Sequence, residues 1–75
     1  MKRLVFGRNV ELDAALVYAG LHGGLGRYML TARALGIETP DDAFWRGRWL
    51  KRQPEEYIAA VSDRVVELEG RERRP

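Results

Sequence analysis

Chemistry in a chain without cysteine must come from its carboxylates, its arginines, its one histidine and its aromatic rings. With no thiolate and His22 as the lone imidazole, neither a disulfide nor a multi-histidine zinc site can be assembled. His22 falls near the end of an expected helix, where an imidazole complements the helix dipole, and nothing close in sequence would orient it as a base. The pairs Asp41/Asp42 and Glu55/Glu56 have the groups that paired-carboxylate catalysis or a magnesium site would use. Each pair, however, opens a helix, where acids are expected for the dipole alone. Catalysis finds no support in these residues, and no cofactor, metal or small-molecule substrate is expected.

GGLGR (23–27) resembles an anion-binding loop, because glycines let backbone N–H groups converge on a phosphate and Arg27 stands beside them. It matches no nucleotide-binding pattern: no Lys-Ser/Thr pair follows the glycines and no strand leads directly into them. A hinge or a helix C-terminus is the expectation here.

DDAFWRGRWLKR (41–52) holds both tryptophans and the densest run of cations. At about 100° per residue, Trp45 and Trp49 fall close together on a helical wheel, with Ala43, Gly47 and Leu50 almost opposite. Arg48 and Arg52 border the indoles on one side and Arg46 on the other, while Lys51 lies nearer Phe44. A partner meeting the tryptophans would meet guanidinium groups too, which suits the stacking of exposed bases or an acidic protein groove. The candidate binding set is therefore Trp45, Arg46, Arg48, Trp49, Lys51 and Arg52. The competing reading packs the tryptophans against the following helix and pairs the cations with its acids. A helix-turn-helix reading puts Asp41 and Asp42 where the bases would be, so the charges oppose it. A ribbon-helix-helix dimer would leave the last two helices unused, and HGGLG lacks the capping Ser or Thr of such a turn.

These residues need elements to hold them. KRLVF (2–6) suits a short edge strand or a packed arm. Asn9 is placed as an N-cap ahead of Glu11 and Asp13, opening a first helix from about Val10 to His22. Its apolar residues form two stripes, Val10/Ala14/Val17/Tyr18/Leu21 and Leu12/Leu16/Ala19, so it is apolar nearly all round. Such a helix is either central in its own bundle or shared with a second subunit. Ala15, Ala19 and Gly23 add a line of small residues suited to close helix approach. A second helix runs from about Leu25 to Leu35 and ends at Gly36, a left-handed C′ position followed by Ile37. Thr39 as N-cap, Pro40 at the first position and two acids behind it start a third helix. Gln53 and Pro54 end it. A fourth helix then aligns Tyr57, Ile58, Val61, Val65 and Leu68 on one face, until Gly70 stops it ahead of a flexible basic tail at about 70–75.

The 75 residues allow one domain, and a domain of this size buries only about 60% of the surface its unfolded chain exposes. A net charge of +2 gives no global field for nucleic acid, so any such contact rests on local clustering. The longest uncharged run, Ala14–Gly26, is too short to span a membrane, and a cytoplasmic protein without membrane contact is expected. The sequence thus predicts an all-α, small four-helix domain that self-associates and serves as a non-enzymatic binding module. Its third helix would contact nucleic acid or a nucleic-acid-bound machine. The alternative is a protein-protein interaction or assembly subunit with no nucleic-acid contact.

Overall fold

The computed structural model describes residues 6–37 and 39–72. It is all-helical: α1 (Val10–Ala34), α2 (Pro40–Lys51) and α3 (Glu55–Glu72). Three helices replace the expected four, because the two segments on either side of HGGLG belong to one helical run. Its only non-helical residue is Gly24, at φ 66° and ψ −164°. A single glycine in this region, which is essentially closed to other residues, makes the hinge without any loop.

The hinge folds α1 back on itself. On a straight helix Leu16 and Ala32 would stand about 24 Å apart, yet both belong to one buried cluster with Ala43. Tyr28 returns over the backbone of Gly20, where a methyl group would sit 3.6 Å from its ring. Close approach occurs at Gly20 and at Gly23, where an added Cβ would collide with the Arg27 side chain; of the expected small-residue line, Ala19 is buried and Ala15 partly buried.

Both stripes of α1 find cover within the chain except at Leu21, which is 67% exposed. Val10, Ala14, Val17 and Tyr18 pack on Tyr57, Val61 and Val65 of α3. Leu12 and Leu16 pack on Tyr28, Met29 and Ala32 beyond the hinge and on Ala43 of α2. The all-round apolarity of α1 thus follows from its central position and does not by itself call for a second subunit. The core is thin and alanine-rich, and the largest side chain wholly withdrawn from solvent is a carboxylate, Asp13.

The termini follow their local signals. Asn Oδ1 of residue 9 accepts from the Leu12 N–H at 3.0 Å and Thr39 Oγ1 from the Asp42 N–H at 3.1 Å. Gly36 has φ 89°. The Ile37 N–H reaches the Ala32 carbonyl at 2.8 Å and the Gly36 N–H the Arg33 carbonyl at 3.1 Å, the paired bonds of a Schellman end. Two expectations differ. No strand occurs among the described residues: residues 2–5 of KRLVF lie outside them, and Phe6–Asn9 form an irregular arm. Gly70 does not end α3, which continues to Glu72 through the first residues of the expected tail at 70–75; residues 73–75 lie outside the described part. Glycine disfavours a helix interior by about 1 kcal/mol, too little to stop one already docked along α1. No described helix is long and apolar enough to cross a membrane.

Replacing Gly24 by Ala should cost about 1–3 kcal/mol of folding stability, Gly36 by Val about 1 kcal/mol or more, and Thr39 by Ala about 1 kcal/mol. Denaturant midpoints check all three.

Candidate binding face on the second helix

α2 turns Ala43, Arg46, Gly47 and Leu50 inward, the i, i+3, i+4, i+7 stripe of an amphipathic helix with an arginine in its middle. Arg46 is 6% exposed. Its Nε donates to Asp13 Oδ1 at 2.8 Å and its Nη2 to the Gly7 carbonyl at 2.9 Å. The guanidinium lies over the Trp49 ring at 4.3 Å and over Phe6 at 5.6 Å, within cation–π range. The hydroxyl of Tyr57 donates to Asp13 Oδ2 and accepts from the Asn9 N–H at 2.8 Å. One carboxylate on α1 thereby holds α2 through Arg46, α3 through Tyr57 and, through both, the arm. Among the described residues no buried side-chain nitrogen or oxygen lacks a partner.

Arg46 therefore leaves the expected binding set. An arginine unpaired in the interior would be prohibitive, but one that meets a carboxylate, a carbonyl and two aromatic faces is satisfied where it stands. Trp49 is half-buried as its cover, edge-on to Tyr57 at 6.1 Å and tilted against Phe6 at 5.9 Å. Trp49 thus packs toward α3, as the competing sequence reading had it, but the cations do not follow. Arg46 pairs with α1, and Arg48, Lys51 and Arg52 have no carboxylate partner among the described residues.

The outer face of α2 is a different surface. Trp45 is 50% and Phe44 57% exposed, edge to face at 5.6 Å. The Arg48 guanidinium stands 5.5 Å from the Trp45 ring centre and 5.8 Å from that of Phe44. Trp45, Arg48, Trp49 and Arg52 join Phe6 around a cleft of about 160 Å³. Four of the six expected residues are thus brought together. Lys51 stands apart, on the side of α2 facing Val17 and Leu21 of α1. Asp41 and Asp42 occupy the first turn, at the far end of the helix from Lys51.

Sequence reasoning missed Phe6 and Phe44. Phe44 had a signal, since an aromatic four residues before Arg48 lies in stacking reach of it; Phe6 had none, because its contact with Trp49 joins residues far apart in the sequence. His22 also has a neighbour the sequence did not suggest: its Nε2 lies 3.5 Å from Glu69 Oε2, and its ring stacks on Tyr18 at 4.5 Å. No group of three or more His, Asp or Glu side chains able to hold a metal occurs among the described residues. The chain matches no protein-family model, no curated protein and no solved structure.

Burial raises the Tyr57 hydroxyl above its ordinary pKa of 10.0, and its hydrogen bond to Asp13 raises it further. The fold favours the neutral phenol, so this stabilisation is complete below about pH 10 and is lost as pH climbs through the raised value. Melting temperature should hold level to about pH 9 and fall above pH 10, and Tyr57→Phe should fall less steeply over that range. Equal slopes would detach Tyr57 from the alkaline transition.

Proposed function

We propose that the protein is a non-catalytic binding module whose α2 outer face takes single-stranded nucleic acid. The observation that carries this reading is the stack of Arg48 over two rings, Phe44 and Trp45, that are each at least half exposed. Aromatic faces accept any base by stacking, and guanidinium groups beside them neutralise the phosphates that follow. A duplex fits less well, because its bases are already stacked and the acids of the first turn would face its backbone. The reading sets the protein in the cytoplasm, with Arg48 and Arg52 at the contact and Lys51 on its border. Trp49 and Arg46 act through the fold, which alters the choice of variants: of the two tryptophans, only Trp45 tests stacking without removing cover from a buried charge.

Fluorescence anisotropy with a labelled single-stranded oligonucleotide at low salt, where electrostatic contacts are strongest, tests the proposal. Three phosphates neutralised on a single strand give a slope of log affinity against log salt of about −2, and replacing Arg48 and Arg52 by Ala should flatten it by about 1 to 1.5. Trp45→Ala should cost about 1–3 kcal/mol. If no single strand binds tighter than about 0.1 mM, the weak end of non-specific affinities, the reading fails and a protein partner for the same face takes its place.

A further inference from the structure

At Gly24 the chain folds back, and the far limb of α1 comes to lie beside α2 with a groove of about 570 Å³ between them. A volume of about 300–1,000 Å³ is usual for small-molecule sites. The walls are Leu25 and Met29 from the limb and Pro40, Phe44 and Gly47 from α2. Leu25 is 76% exposed and Phe44 57%. Tyr28 also lines the groove, but its hydroxyl proton is committed to the Ala43 carbonyl at 2.9 Å. The free side-chain donors of the groove are therefore those of Arg48 and Lys51.

These two cations stand together at one end. They are eight and eleven residues beyond Pro40, about 12 and 17 Å along the axis of α2, and neither has a carboxylate partner among the described residues. Asp41 borders the other end, on the edge that Arg48 occupies seven residues later, about 10 Å away. The cations of the limb face elsewhere: Arg27 lies over Tyr18, and Arg33 lines a neighbouring cleft with Leu30 and Ile37. Lys51 also reaches a groove between α1 and α3, where Glu69 is taken up by His22 at 3.5 Å. One end of the α1–α2 groove thus attracts an anion and the other repels it, while the length between them offers apolar contact.

An anionic head on a hydrocarbon tail has the same distribution of charge. A nucleobase would leave its polar edges without partners against these walls, and a cationic amphiphile would meet Arg48 and Lys51. We infer that the groove binds one molecule of a long-chain carboxylate, its head at Arg48 and Lys51 and its tail running past Leu25, Met29 and Phe44 toward Pro40. The inference does not rest on the nucleic-acid reading. Arg48 borders both sites, but Trp45, Trp49 and Arg52 line only the cleft on its other side.

Calorimetric titration of the intact chain with dodecanoate, kept below its micelle-forming concentration, should show a single site. Dodecyltrimethylammonium has the same tail and the opposite head, and should bind at least about tenfold more weakly because like charges would meet. Leu25→Glu should weaken dodecanoate binding at least about tenfold by setting a carboxylate in the apolar wall. Since Leu25 is exposed, helicity by circular dichroism should be unchanged. Replacing Arg48 and Lys51 together by Gln should weaken binding about tenfold, the loss expected of two exposed ion pairs. Val66→Glu, in the groove between α1 and α3, and Arg52→Ala, in the tryptophan cleft, should leave it unchanged. The inference is overturned if dodecanoate binds no tighter than about 1 mM, if both head groups bind equally, or if Val66→Glu abolishes binding and Leu25→Glu does not. Adsorption to anionic vesicles without binding of monomeric dodecanoate would also overturn it, and would assign the surface to a membrane.

Discussion

Three helices and the arm before them converge on the carboxylate of Asp13. The Arg46 guanidinium of α2 and the Tyr57 hydroxyl of α3 each use one of its oxygens, and the same two groups hold the backbone of Gly7 and Asn9. A buried ion pair of this kind need not add net stability, since withdrawing both charges from water offsets much of their attraction. It does add direction. An alanine-rich core can slide, because small side chains interlock weakly, whereas a carboxylate with two fixed partners accepts one arrangement of the helices that carry them. The consequence of losing one partner is severe: about 3–5 kcal/mol, against a total of about 4–11 kcal/mol for a domain of this length.

The same pair decides which face of α2 is available. Arg46 points inward, Trp49 closes over it, and the helix must then present Phe44, Trp45 and Arg48 outward. Trp45 and Trp49 are neighbours on the wheel, yet they do different work: one shields a buried charge, the other faces solvent. The arm belongs to the same arrangement, since Phe6 and Gly7 contact the guanidinium and Phe6 also forms a wall of the tryptophan cleft.

What the sequence made legible was whatever depends on near neighbours. The caps at Asn9 and Thr39, the left-handed Gly36 and the break before Pro54 are contacts within a few residues, and each is where the local chemistry put it. The two stripes of α1 were legible as stripes, but whether a second subunit or the chain itself covered them depended on the direction taken at Gly24. Two adjacent glycines gave no means of choosing the hinge or of seeing that it would need no loop. Arg46 was misjudged for a related reason. Its carboxylate is 33 positions away in the sequence, so nearby residues made it one more cation in a basic run. A sign was present nonetheless: Asp13 lies between Val10 and Val17 at helical spacing, and Arg46 between Ala43 and Leu50. A charge of each sign inside an apolar stripe suggests that the two meet. The first-turn explanation for Asp13 concealed it.

A double-mutant cycle on the buried pair tests this account most directly. Asp13→Asn leaves a guanidinium buried without its counter-charge, Arg46→Met leaves a carboxylate in the same position, and the double variant leaves no buried charge of either sign. Unfolding free energies from urea titration should fall by about 3–5 kcal/mol in each single variant. The double variant should be more stable than the sum of the two losses allows, with a coupling of about 2 kcal/mol or more. Additive losses, or single variants as stable as the parent chain, would contradict the claim that Asp13 and Arg46 together orient the three helices.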